Sequence, residues 1–432
     1  MKRFLSLVLV LMLTLSLFVS VTAETTVENI TFWYCMSDRN GQLLQEAVNT
    51  FNATVGLEAG VHVEAIYQGS YSDAVTKVNA TLNATQYDLL PNVLQMDATG
   101  KVMYYTSGQA YTVDTMLAED TAMTLDDFLS AALSNWNYSG AQLGLPFATS
   151  TTVLYYNKTL LDQLGMPVPD VLSDFSAIAE KLPEGITCYA SVPNTPTLAN
   201  WLGQLGSDLV DKNNGSEGSA AQLVCIENGA LARFLSVWKD LYAAGGVANN
   251  SGSTDAFVAG TQMFMTSSSS SLASVISKVG DAFEVGIAQY PRVSADSMSG
   301  ASVSGSCLVA FDHGDAANRA ERVFMQYMTS ADVQAAFAAG SGYVPSVLSA
   351  AETDTWQQLI AGNSAFGVAL EQISNTPVSM RAVTVGPAAD FYYSIMTCIS
   401  DMLDDDLSIE ETIDIMQSDL NGLLNQYNRS NP

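Results

Sequence analysis

Residues 30–97 read ITFWYCMSDRNGQLLQEAVNTFNATVGLEAGVHVEAIYQGSYSDAVTKVNATLNATQYDLLPNVLQMD. Ile30 to Tyr34 is apolar and β-prone, and the polar SDRNG ends it. A helix follows, with Leu43, Leu44, Ala47, Val48 and Phe51 on one stripe. VHVEAIY then sets Val61, Val63, Ala65 and Tyr67 against His62 and Glu64, the alternation of a half-buried strand. Ser72 is placed to cap a second helix carrying Val75, Val78 and Leu82, and LLPNVLQMD reads as a third, buried strand. Strand, helix, strand, helix, strand implies an α/β fold with a parallel sheet. In such sheets ligands collect beyond the carboxyl ends of the strands. Three loops therefore stand out: the one starting at Cys35, YQGSY (67–71) and QMDATG (95–100).

Working outward, the N-terminus is a basic pair, Lys2 and Arg3, ahead of an unbroken apolar run closed by Val21-Thr22-Ala23. That is an export signal with cleavage expected after Ala23, and the mature chain is expected in the periplasm or at the cell surface. Cys35 lies twelve positions past Ala23, behind Phe32, Trp33 and Tyr34, too far from the apolar run for a lipoprotein anchor. Cleavage removes two cations and no acid, moving the net charge from −28 to −30. Such a surface repels phosphate backbones and anionic membranes, so a nucleic-acid partner is excluded. The five cysteines contain no CxxC pair, and only two histidines occur in 432 residues. No zinc spacing follows from this, and no metal or cofactor is expected.

From LPFATSTTVLYYNK (145–158) to about Tyr290 the alternation continues, with a strand at Thr152–Tyr156 and helices around Phe175–Lys181 and Leu231–Ala244. The run Ser267–Ser271 sits between strand-like MFMT and helix-like LASVISKV and reads as a strand-to-helix loop. Ser408 and Glu411 fit a capping box ahead of Ile409, Ile413, Met416, Leu420 and Leu424, and Asp404–Asp406 reads as solvated surface. DKNNGSEG (211–218) lacks the glycine position and terminal acid of a calcium loop and reads as a turn. There is no phosphate loop, HExxH or GxSxG motif, and no acid pair is singled out for a glycosidase. Aromatics, serines and amides at strand-end loops suit binding better than catalysis, and the chain is not expected to be an enzyme.

ITFWYCMS, YQGSY, LPFATSTTVLYYNK, the strand before Ser268 and GSGYVPS (340–346) together resemble the extracellular solute-binding proteins of ABC importers. The similarity is greatest to the glycerol-3-phosphate-binding branch of the sugar-binding family that includes maltose-binding protein. The resemblance implies a two-lobed type II periplasmic-binding-protein fold, each lobe a mostly parallel sheet flanked by helices, joined by hinge crossings. It implies lobe one over 24–146 plus 290–340 and lobe two over 147–289 plus 341–432. It also implies a monomer that closes over one small solute and delivers it to a membrane permease.

Carried over by position, the ligand residues of that branch fall at Tyr71, Ser150, Ser268, Gly305 and Tyr343. The family's hydroxyl-gripping acid falls at Ala98, with Asp97 beside it, and its phosphate-pairing arginine falls at Tyr392. Replacing guanidinium by phenol removes the charge and the bidentate fork that a buried phosphate needs. The expected ligand is therefore a neutral sugar or polyol, with glycerol 3-phosphate or its diesters as the alternative and a secreted glycoside hydrolase as a rival of another class. Tyr71 and Tyr392, with Trp201 as a third candidate, could stack on a pyranose while serines and Asp97 bind hydroxyls. Trp201 reads equally well as lobe core, and Tyr343 as a hinge residue. Arg39 is the cation of the first strand-end loop and the candidate partner for any anionic group.

Overall fold

The computed structural model describes residues 27–431; the export signal expected over 1–23 lies outside them. Among the described residues there are twelve strands: β1 Glu28–Tyr34, β2 Val61–Tyr67, β3 Val93–Met96, β4 Ala110–Tyr111, β5 Asn137–Tyr138, β6 Ala141–Gln142, β7 Leu145–Asn157, β8 Thr187–Ala190, β9 Val247–Ala248, β10 Gln262–Ser268, β11 Val285–Ala288 and β12 Val303–Phe311. Apart from the β5–β6 hairpin they form one sheet of order β2-β1-β3-β12-β7-β10-β8-β9, with β4 on β12 and β11 on β7.

Pairing is parallel in β2-β1-β3 and in β10-β8-β9. The strands that join these two stacks run antiparallel to their neighbours. β7 is the connector: Leu145 to Thr151 pair with β12, and Thr152 to Tyr156 pair with β10. Parallel strands share one carboxyl edge, so Cys35, Gln68 and Asp97 all leave the first stack on the same side. β10 ends at Ser268, which pairs with Thr152 of β7, so the second stack turns its carboxyl edge toward the same crossing. The fold is thus the two-lobed type II periplasmic-binding-protein arrangement, with the carboxyl edges of both stacks facing one seam.

The helices form where the stripes lie. In Asp38–Ala53, Leu44, Val48 and Phe51 are buried, and Leu43 and Ala47 pack beside them. The second helix, Tyr71–Asn83, is capped by Ser70 and not by Ser72: Asp73, three residues after Ser70, completes the reciprocal capping box. Ser408 and Glu411 cap Ile409–Ser430 as their spacing implies, and Met416, Leu420 and Leu424 are buried. Ser267–Ser271 is the strand-to-helix loop, closing β10 and leading into helix Leu272–Val279. Residues 211–218 turn through left-handed Lys212, Asn213 and Asn214 while the Asp211 carboxylate accepts from the Ala221 and Gln222 amides.

Two principal cores sit on either side of the seam. One gathers Phe32, Phe51, Phe147 and Phe324; the other gathers Phe175, Tyr189, Phe234, Trp238 and Phe264. A third cluster, with Leu129, Tyr155, Leu272, Val344 and Ile373, lies under the crossing. Two segments pack differently from the boundaries implied by resemblance. Tyr290, Val293 and Ala301 belong to the second core, because the chain does not enter the first sheet until β12 begins at Val303. Val347, Ala350 and Trp356 belong to the first core, because the chain turns back past β7 after Tyr343.

Candidate functional site

The middle of β7 organises the seam. Thr149 accepts the Val344 amide at 2.8 Å, and its hydroxyl meets that of Ser346 at 2.6 Å. One residue on, the Ser150 hydroxyl lies 3.0 Å from that of Ser304 on β12, and the Thr151 amide donates to the Ser269 hydroxyl at 3.2 Å. GYVPS therefore braces the crossing strand, and it also presents Tyr343. Gly342 holds φ +81°, a left-handed conformation that turns the chain out of helix Ala331–Ser341. The Tyr343 ring stacks on Phe337 at 6.0 Å and its phenol lies beside the Ser270 hydroxyl.

Gly305 has a backbone reason to be glycine. The β12–β7 register slips between Gly305 and Ser306, Gly305 takes φ +109°, and a Cβ there would stand 2.1 Å from the Ala148 carbonyl oxygen. The bulge lets two strands meet closely and aims Ser306 inward. Ser306 is buried, accepts from the Gln95 side-chain amide at 3.0 Å and donates to the Phe147 carbonyl at 3.0 Å.

Tyr71 opens helix Tyr71–Asn83 at the edge of the first stack and is half-buried. Its phenol lies beside Ser306, with Tyr343, Cys35 and Asp97 close enough to act on its charge. Burial pushes its acidity well below that of a free phenol, and the Ser306 hydroxyl pulls weakly the other way. Tyr343 is shifted in the same direction for the same principal reason. Both phenols are neutral hydrogen-bonding groups, not bases.

Asp97 caps the turn after β3, accepting the Thr99 amide at 3.1 Å and its hydroxyl at 2.5 Å. Burial pushes the Cys35 thiol up to about 12, and Asp97 and Asp73 push it further in that direction. A protonated thiol without an adjacent base is not a nucleophile. The Cys35 amide donates to Gln95 Oε1 at 3.0 Å, so this strand end contributes backbone, not sulfur.

On the second lobe, Ser268 ends β10, and its hydroxyl lies 2.9 Å from that of Ser270. Tyr392 lines a cavity of about 240 Å³ with Ser191, Asn194, Thr197, Thr266 and Ser267. This cavity sits at the carboxyl ends of β8 and β10, and Asn194 Nδ2 donates to the Tyr392 phenol at 3.2 Å. Where the resemblance places an arginine, the structure holds a phenol among hydroxyls and an amide.

The structure thus brings Tyr71, Asp97, Ser150, Ser268, Gly305 and Tyr343 to the seam and sets Tyr392 in the second lobe's wall. Two candidates fall elsewhere. Trp201 is lobe core: it is fully buried, stacks on Phe234 at 5.1 Å and on Tyr290 at 5.3 Å, and donates its indole N–H to the Pro291 carbonyl at 3.2 Å. No ring face is left for a ligand. Arg39 lies on the outer surface, paired with Glu46 at 3.5 Å, both side chains more than half exposed. Gln95, Ser306, Ser270 and Asn194 were not singled out by sequence; the first three lie within or beside segments that were, whereas nothing local marks Asn194.

Two carboxyl edges facing each other across crossing strands, lined by phenols, hydroxyls, amides and the Asp97 carboxylate, define a two-lobed solute-binding protein. The chain belongs to the bacterial extracellular solute-binding proteins, whose family model matches residues 46–362. It is 25% identical over 365 residues to the sn-glycerol-3-phosphate-binding periplasmic protein UgpB of Yersinia pestis bv. Antiqua, covering 81% of each chain. Among solved structures it is similar to the sugar-binding protein MalE of Xanthomonas citri, with TM-score 0.76, 16% identity and coverage of 93% of this chain and 98% of that one. UgpB of Mycobacterium tuberculosis in complex with glycerophosphocholine matches at TM-score 0.70 and 20% identity, over 92% of this chain and 99% of that one. Among the described residues no helix is long and apolar enough to cross a membrane.

Proposed function

We propose that this chain is the extracytoplasmic substrate-binding component of an ABC importer, exported with cleavage after Ala23 and not lipidated. It captures a sugar, oligosaccharide or polyol between its lobes and hands it to the membrane permease without chemistry, working as a monomer. The lobes in this reading are about 27–149 with 304–362, and about 152–302 with 376–431, following the two principal cores. The solute bridges Tyr71, Asp97 and Tyr343 on one side and Ser268, Ser270 and Tyr392 on the other. It thereby biases an open–closed equilibrium that the permease reads.

The observation that carries the ligand class is the chemistry of the seam. Its polar lining is phenolic, hydroxylic and amidic with one carboxylate, Asp97, and Tyr392 with Asn194 occupies the place of the branch's phosphate-pairing arginine. Hydroxyl-rich neutral ligands match such a lining, whereas a buried phosphate needs charge-assisted donors. A second reading, glycerol 3-phosphate or its diesters, is favoured by the name of the relative at 25% identity, a glycerol-3-phosphate-binding protein, and by the glycerophosphocholine bound to the similar structure at 20% identity. A thermal-shift screen against sugars, polyols and glycerophosphates separates the two. Stabilisation by neutral ligands that is lost in Tyr343→Ala supports the proposal; stabilisation by phosphorylated ligands alone overturns it.

A further inference from the structure

We infer that the two lobes carry a latch that engages without solute: the tip of the β5–β6 hairpin in the first lobe hydrogen-bonds a left-handed turn of the second. The inference rests on the division into lobes proposed above and uses none of the proposed ligand residues.

Each side of the contact belongs to a different core. Trp136, Tyr138 and Leu143, in and beside the hairpin, pack with Met96, Cys307 and Phe311 of the first lobe. Val210 and Leu223, on either side of the turn, are buried in the second core, and Val383 and Val385 pack against it. Across this boundary the Ser139 amide donates to the Ser216 carbonyl at 2.7 Å. From the preceding helix, Ser130–Asn135, the Ser134 hydroxyl donates to the Val378 carbonyl at 3.1 Å. Among the described residues, these two hydrogen bonds are the ones that join the lobes outside the crossing segments and the seam.

Both partners are shaped for the contact. Ser139 and Gly140 form the two-residue connection of the hairpin, with φ 52° and 83°, which leaves the Ser139 N–H out of the strand ladder. Opposite, Lys212, Asn213, Asn214 and Gly215 hold φ 57°, 54°, 53° and 77° in succession. Three of these four carry a Cβ that disfavours the left-handed region. The turn keeps its shape because Asn214 is clamped: its Oδ1 accepts from the Leu209 amide at 2.8 Å and its carbonyl from the Thr384 amide at 2.8 Å. Backbone strain held this firmly points to a contact that needs it, and here it presents the Ser216 carbonyl to the hairpin.

Behind the bond lies a cavity of about 240 Å³, with Thr99 and Tyr138 on one wall and Gly215, Val383 and Tyr427 on the other. The lobes meet on this flank through two hydrogen bonds around a void, not through an interdigitated core, so the contact can part without opening either core. Because both bonds use protein atoms alone, they raise the closed fraction of the ligand-free protein, and with it the apparent affinity for solute.

Amide exchange in the ligand-free mature protein tests the latch. Ser139 is exposed at a hairpin tip, and its amide is paired with Ser216 alone, whereas the Gly140 amide has no partner among the described residues. By NMR the Ser139 amide should exchange at least about tenfold more slowly than that of Gly140, each relative to its unstructured rate. Equal protection overturns the inference. Spin labels at Tyr105 and Gln426, exposed positions beside the cavity in the two lobes, then read the lobe separation. Two variants loosen the latch: Gly215→Ala sets a Cβ 1.9 Å from the Thr384 carbonyl oxygen and displaces the turn, and Ser134→Ala deletes one bond from a partly exposed position, which keeps the test open if the first variant does not fold. A short-distance population that shrinks in the folded variants supports the latch; one that is unchanged overturns it. Ribitol and maltose are finally added to the wild type. A protected Ser139 with neither probe bound supports the latch and counts against the seam as a sugar site, whereas tight binding of either with Ser139 unprotected overturns the latch alone.

Discussion

Trp201 and Tyr71 are both aromatic residues placed by resemblance or composition near a ligand, and they end in opposite surroundings. Trp201 has aromatic faces on two sides and its one polar atom satisfied by a backbone carbonyl inside the second lobe. Tyr71 is half-buried at a strand edge, its phenol among Ser306, Tyr343 and Asp97. An aromatic ring whose every contact is internal contributes folding energy. One whose polar tip stands among polar side chains at a seam has contacts to offer a ligand. Ring type alone does not separate the two; what surrounds the polar atom does.

The largest effect that would break this contrast is in the core. Trp201→Ala should cost about 3–5 kcal/mol of stability, read by urea unfolding, since it removes a fully buried indole from between two rings. Ligand affinity of the folded fraction should be unchanged; a selective loss of affinity would return Trp201 to the site.

Next comes Lys101, a cation 2% exposed with its ammonium 5.4 Å from the Trp136 ring and no ion-pair partner among the described residues. Burial chiefly lowers its pKa to about 8 from 10.5, so the folded state disfavours the charged form. At pH 7 both states are protonated and that cost is borne in full. As pH climbs from about 8 to 10.5 the folded state sheds its proton first, and stability rises. Lys101→Met should therefore stabilise by about 1–3 kcal/mol at pH 7, with the gain fading above pH 10. Denaturant titrations at the two pH values check this, and a gain independent of pH would contradict it.

Smaller, and confined to binding, is Tyr71→Phe. Removing the phenol hydroxyl should weaken a neutral ligand about tenfold by calorimetry while the ligand-free melting temperature stays close to wild type. Smallest is Arg39→Ala. The exposed pair with Glu46 should contribute nothing measurable to stability, and binding should not change.

The sheet, its edges and its three strand-end loops were legible because each rests on local alternation: Val61 and Val63 inward, His62 and Glu64 outward. Even the capping error had a local remedy, since Asp73 stands three residues after Ser70, the reciprocal spacing, and only one after Ser72. The resemblance placed the seam residues because the motifs themselves braid there, Thr149 with GYVPS and Gly305 with Ala148. What could not be read was the hydrogen bonding behind them. Gln95 and Ser306 are 211 positions apart, and Asn194 and Tyr392 are 198 apart; neither pairing leaves a periodic trace. Trp201 had one clue that favoured the core: it shares a buried helix with Leu198 and Leu202.

A seam lined in this way should recognise hydroxyls rather than phosphate. Isothermal titration of the wild-type protein with maltose, ribitol, glycerophosphocholine and glycerol 3-phosphate, side by side in one buffer, tests it most directly. A neutral ligand is expected to bind most tightly and glycerol 3-phosphate to be the weakest of the four. Tightest binding by glycerol 3-phosphate would contradict it.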